Sequence, residues 1–135
     1  MMADQNSSES AAVVRRDALR FVDLPGRASA DPLALLPGAE ASGLSVRIVR
    51  MEARSGRRPH RHPHSVEVVH VLSGTGTAWL EGCRTAVGPG DTFLIPVGAA
   101  HATLPDPGST LELLCVFPHA DLGANLDELE EPLLS

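Results

Sequence analysis

Three histidines and one glutamate hold most of the chemistry in this sequence. In the stretch GRRPHRHPHSVEVVHVLSG, from Gly56 to Gly74, His60 and His62 stand two apart and Glu67 follows. Residues two apart on an extended chain point to one face, so both imidazoles can serve one ligand. Imidazole suits borderline divalent ions, and a carboxylate beside it admits Fe, Mn, Zn or Ni. A fourth donor comes from GDTFLIPVGAAH, Gly90 to His101, where Pro96 ends a strand, Gly98 reverses the chain and His101 starts the return. Such a set leaves positions open on an octahedral ion, as a catalytic metal requires. The expectation is one divalent metal ion per chain held by His60, His62, Glu67 and His101. Glu67 is also the catalytic candidate, as a general base that leaves the ion, a role that needs a raised pKa.

Strands must bring these segments together. Leu44–Met51 alternates apolar and polar residues and Ser55-Gly56 ends it, while Val66–Leu72 is a β-branched run stopped at Ser73-Gly74. Thr75–Leu80 turns through Glu81-Gly82 into Arg84–Val87, and Thr92–Ile95, His101–Leu104 and Thr110–Phe117 follow. Ala18–Leu24 reads as an edge strand turned by Pro25-Gly26, and residues 28–43 read as a loop. Only Ala124–Glu131 reads as helix, capped by Asn125 or Asp121 and stopped by Pro132. The expected fold is all-β, a small antiparallel β-barrel over residues 15–120. A disordered polar tail, 1–14, precedes it, and an acidic helix or tail, 121–135, follows.

Composition excludes several functions. All 11 basic residues are arginine, so no lysine can form a Schiff base. Aromatics are 3% and the net charge of −6 sits in the two tails, whereas a nucleic-acid binder would show a basic face with stacking aromatics. Cys83 and Cys115 read as free thiols in a reducing compartment. The start MMADQNSSES lacks the basic and apolar regions of a secretory signal, and no apolar run approaches membrane-spanning length. The expectation is a soluble, cytoplasmic protein that binds a small molecule, with neither nucleic acid nor membrane as partner.

The two stretches together resemble the cupins. The first cupin motif, G-x5-H-x-H-x3,4-E-x6-G, is matched from His60 through His62 and Glu67 to Gly74, but only three residues stand between Gly56 and His60 where the motif has five. The second, G-x5-P-x-G-x2-H-x3-N, is matched by Gly90, Pro96, Gly98 and His101, but Pro105 stands where the motif has Asn. That asparagine is not a metal ligand in the family, so the departure touches a turn and not the donors. The resemblance, to a small single-domain cupin, implies a jelly-roll barrel over roughly residues 40–118. It also implies a homodimer, since such barrels pair through an edge strand or an exchanged N-terminal segment.

The remaining polar residues are weighed around that site. His64 stands between a role beside the ligands and that of a loop residue, the second being favoured. His70 has opposite parity to Glu67 and faces away, and His119 is a loop residue. Arg54, Arg57, Arg58 and Arg61 would make an anion-attracting mouth, although for Arg57, Arg58 and Arg61 a solvated turn is favoured. Of Arg47 and Arg50, at most one faces inward, and Arg27 is a weaker candidate. Pocket walls are expected from Val69, Val71, Trp79, Phe93, Ile95 and Cys115. The leading functional expectation is a metal-dependent enzyme acting on a small anionic or enolisable substrate, of dioxygenase type. A non-redox cyclase, isomerase or decarboxylase is the alternative, and a binding module without turnover a further one.

Overall fold

In the computed structural model, residues 12–54 and 57–129 are described. Eleven strands are present among them. They are β1 (Val22–Leu24), β2 (Arg27–Ala30), β3 (Ser45–Glu52), β4 (His60–Arg61), β5 (Glu67–Ser73), β6 (Gly76–Leu80), β7 (Cys83–Val87), β8 (Thr92–Ile95), β9 (His101–Pro105), β10 (Thr110–Phe117) and β11 (Asp127–Glu128). They form two antiparallel sheets, ordered β1-β2-β3-β10-β5-β8 and β11-β4-β9-β6-β7. The chain passes between sheets repeatedly, which gives the double-sheet jelly roll in which inner faces share one core.

Alternation in the central strands decides which residues enter that core. Val69 and Val71 of β5 are buried, as are Leu111, Leu113, Cys115 and Phe117 of β10 and Val49 and Met51 of β3. The β10–β5 register shifts between Glu112 and Leu113, a bulge that re-aims the strand without exposing its apolar set. Glu112 points to the outer face instead. There its carboxylate accepts two hydrogen bonds from Arg16 at 2.9 Å and one from Arg50 at 2.8 Å. Arg50 in turn lies 3.8 Å over the Phe21 ring, so the N-terminal segment is fastened across the sheet. Burial alone would raise the Glu112 carboxyl, but the two guanidiniums hold it below its ordinary range.

Two expected elements differ. Residues 27–30, Arg-Ala-Ser-Ala, have little strand propensity, yet they form β2 by pairing with the edge of β3, with Ala28 opposite Arg50 and Ala30 opposite Ile48. Short 3-10 turns at Pro32–Leu35 and Ala39–Ala41 occupy the rest of the expected loop. The expected C-terminal helix is absent among the described residues. Leu122–Asn125 is a turn, and Asp127–Glu128 is β11, paired with Arg61 and His60 of β4. The open edge of β4 offers backbone partners to a segment too short to stabilise itself as a helix. Glu130 and Glu131, the turn at Ser55-Gly56 and residues 1–11 of the expected tail lie outside the described residues. No helix among the described residues is long and apolar enough to cross a membrane.

Gly74 ends β5 with φ of +84°, and a Cβ there would collide with the Thr110 carbonyl oxygen. Gly108 has a similar φ of +78° but open space around it. Gly108→Ala should therefore cost about 1 kcal/mol through backbone conformation alone, and Gly74→Ala roughly 3 kcal/mol or more because backbone must move. Urea unfolding of the two variants measures the difference, and equal losses would contradict this account of the motif glycine.

Candidate metal centre

The centre is built where the two sheets face each other. His60 on β4 pairs with His101 on β9, which sets their rings side by side with centroids 4.3 Å apart. His62, two residues on, turns inward as the parity expectation required and lies 5.0 Å from both. Glu67 opens β5 in the other sheet and reaches across. Its Oε1 stands 3.1 Å from His62 Nε2 and 3.0 Å from His101 Nε2. One ligand atom from each of the four side chains can be chosen so that all lie within 4.8 Å of one another.

Neighbouring backbone fixes how the rings face. His62 Nδ1–H donates to the Asn125 carbonyl at 2.7 Å, and His101 Nδ1–H donates to the Ala99 carbonyl at 3.0 Å. These donations leave the Nε2 lone pairs directed at the shared point, the usual arrangement of a metal-binding imidazole. His62 Nε2, His101 Nε2 and Glu67 Oε1 are buried and have no hydrogen-bond partner among the described residues. Their close approach to one another is not aligned for hydrogen bonding. Buried polar atoms without partners are costly. A divalent cation would satisfy all three at once, so the donor set fits such an ion.

The turns hold these atoms in place. The Gly98 N–H donates to the His62 carbonyl at 2.9 Å, joining the two stretches that carry the donors. At the Glu81-Gly82 hairpin, the Glu81 carboxylate accepts from the Ala100 N–H at 2.6 Å, beside His101. Asn125 is fully buried; its side chain accepts from the His64 N–H at 2.7 Å and donates to Ser65 Oγ at 2.8 Å. Asn125, which with Asp121 is one of two candidate caps for the expected helix, instead pins the loop that carries His62. Pro105, where the motif has asparagine, ends β9 opposite Gly76, and the following turn is closed by Ser109 N–H to the Asp106 carbonyl.

Protonation states match the geometry. Burial, with the neighbouring His101, lowers His60 to about 3. Burial pushes Glu67 up, but His101 and His62 more than offset it and hold the carboxyl at about 2. A neutral imidazole and an ionised carboxylate are the states that ligate metals. A general-base role for Glu67 would require the opposite shift.

The other expected residues are placed as follows. His64 and His119 stack on each other, centroids 5.6 Å apart, away from the cluster. His70 faces outward and bonds Thr92 Oγ1 at 2.6 Å. A cavity of about 620 Å³ opens above the four donors, with Val69, Ile95 and Cys115 in its walls. Trp79 and Phe93 are half-buried outside that lining, and Val71 belongs to the core. Both cysteines are free, Cys83 exposed and Cys115 buried. Burial, then Glu67, raises the Cys115 thiol well above its ordinary value.

Arg47, not Arg50, faces the cavity, and so do Arg27, Arg54, Arg57 and Arg58, whereas Arg61 does not. Arg57 is half-buried in the cavity wall, which corrects the solvated-turn expectation for it; Arg58 also lines the cavity but is exposed, in keeping with that expectation. Arg27 opens β2, a strand that exists through its pairing with β3 and not through its own propensity; the Pro25-Gly26 turn before it is the signal the sequence carries. Nothing in the sequence pointed to Asn125 as a support of His62.

Comparison with known proteins agrees with this architecture. The family model Cupin_2, described as a cupin domain, matches residues 47–117, just over half of the chain. The protein belongs to the cupin family. Its structure is similar to that of a Streptomyces Pac13 variant with uridine, at 16% identity and a TM-score of 0.69, over 90% of this chain and 93% of that one. It also resembles a putative sugar phosphate isomerase from Acidithiobacillus ferrooxidans, at 26% identity and a TM-score of 0.57, over 67% of this chain and 58% of that one. A third is the oxalate decarboxylase of Lactobacillus farciminis in a formate complex, at 21% identity and a TM-score of 0.68, over 84% of this chain but 34% of that one. No curated protein matches the chain.

The shifted groups set a direction for acid stability. His60, lowered to about 3, stays neutral in the fold while the unfolded chain takes up a proton below its model value of 6.5, so stability falls as pH drops through that interval. Glu67, held at about 2, contributes stability above its model value of 4.5 and loses it as pH falls toward 2. Both act in one direction. The metal-free protein should lose thermal stability steadily between pH 6.5 and pH 3, and His60→Phe should flatten the upper part of that profile. A melting temperature unchanged across the interval would refute the assignment.

Proposed function

We propose that the protein is a metal-dependent cupin enzyme acting on a small anionic or enolisable organic molecule. The observation that carries this reading is the set of buried, unpartnered donor atoms at the floor of a cavity large enough for a small substrate. His60, His62, Glu67 and His101 would hold the ion, which supplies Lewis acidity and, when it is iron, a redox couple. The chain supplies the rest. Val69, Ile95 and Leu113 make an apolar wall that limits water, and the arginines above orient a negative group. Glu67 serves as an ionised ligand. A homodimer joined at edge strand β1 is part of the same reading, supported by the exposed Val22 and Leu24 on that strand; a monomer mass by light scattering would remove it.

Two reaction types use this donor set. Dioxygenation of an enolisable substrate needs iron and consumes oxygen. Non-redox isomerisation, dehydration or decarboxylation needs neither, and the resemblance to a sugar phosphate isomerase, a nucleoside dehydratase and an oxalate decarboxylase favours testing it alongside.

Metal analysis of protein purified without chelators or metal-affinity resin should find about one ion per chain. His62→Ala and His101→Ala should each lose most of it while keeping the barrel fold by circular dichroism. Full occupancy in both variants would end the proposal. Oxygen uptake with iron-loaded protein and a panel of small carboxylates and sugar phosphates then separates the two reaction types.

A further inference from the structure

The cavity is electrostatically one-sided. Arg27 enters it from β2, and Arg54, Arg57 and Arg58 enter from the segment between β3 and β4. Arg47 also lines the wall, but Asp31 neutralises it at 3.2 Å. Among the described residues no carboxylate pairs with the other four. The acids on the cavity lining are Glu67, committed to the donor cluster, and the exposed Glu128. The protein carries a net charge of −6, so the cationic wall is a local concentration and not a general property of the surface.

The guanidiniums are also crowded. Arg57 Nη2 donates to the carbonyls of Gly26 at 3.2 Å and Glu52 at 3.1 Å, while its Nε is buried without a partner. Arg54 lies against Gly26 from the other side, in contact with any Cβ that would be added there. Burial, then the charges of Arg54 and Arg27, pull Arg57 below its ordinary value. Arg27 also acts to lower both His60 and Cys115, as a smaller contribution beside burial, so its charge bears on the floor of the cavity as well as on its rim. Like charges held together in a partly buried wall are destabilising unless an anion joins them. A guanidinium fork matches the paired oxygens of a carboxylate or phosphate.

We infer that Arg27, Arg54 and Arg57 form an oxyanion subsite on the wall above the four donors, and that the substrate is bifunctional. One oxygen function reaches the donors, and a carboxylate or phosphate elsewhere on the same molecule is held by the arginines. The first half rests on the function proposed above; the subsite itself does not.

Titration calorimetry with inorganic phosphate, succinate and acetate tests it on the purified protein. Phosphate or succinate should bind, and whichever binds tighter names the oxyanion. Arg27→Gln and Arg54→Gln should each weaken that binding about tenfold, the loss of one charge-assisted contact. Arg27→Lys should recover part of the affinity, and Arg84→Gln, on the exposed strand β7, should leave it unchanged. Unchanged affinity in both glutamine variants overturns the inference, as does no binding to the parent protein. Metal content separates the two readings: the arginine variants should keep it, and a metal-free parent that still binds phosphate would defeat the metal assignment alone. Melting temperatures confirm that each variant is folded.

Discussion

A carboxylate that crosses from one sheet to the imidazoles of the other is the constraint on which this structure turns. Glu67 is 5% exposed, and its Oε1 stands about 3 Å from two histidine nitrogens. Burying an anion costs several kcal/mol unless positive charge or donated hydrogens compensate it. The surrounding architecture instead gathers imidazole nitrogens at the same point, where a divalent cation would supply that compensation. The His60–His101 cross-strand pair, the Gly98 bond to the His62 carbonyl and the β5 register each remove a freedom that would otherwise let the four groups drift apart. The barrel is thus a device for juxtaposing two segments that lie more than thirty residues apart in sequence.

Much of this could be read beforehand because it depends on local pattern. The spacing of His60, His62, Glu67 and His101 named the cluster, and β-branched runs bounded by glycine named the central strands. What stayed hidden depends on tertiary contact. Strand β2 is Arg-Ala-Ser-Ala and owes its conformation to the edge of β3, so neither propensity nor periodicity marks it. The acidic run from Ala124 had helical composition, but the unpaired edge of β4 competes for its backbone and wins. Both misreadings affected the site. The first hid the approach of Arg27, and the second made Asn125 no more than one of two candidate caps when it is a buried clamp.

Charge is distributed to match this division of labour. The acidic residues are spent at the termini and on the outer face, where Glu112 fastens Arg16 and Arg50. Arg27, Arg54, Arg57 and Arg58, which have no carboxylate partner among the described residues, line the cavity. A negatively charged protein with a cationic recess repels anions generally and admits them at one place, which focuses encounter on that recess. Such a field selects ligands by charge before any contact is made.

Chain order gives the Asn125 clamp one more meaning. Asn125 leaves the ribosome after all four donors, and its carbonyl sets the ring of His62. The nascent barrel can assemble the strands bearing His60, Glu67 and His101 while the orientation of the remaining imidazole is still free. The aim of the His62 ring therefore waits on a residue synthesised after all four donors, and a chain clipped before Asn125 would leave that imidazole without its carbonyl partner.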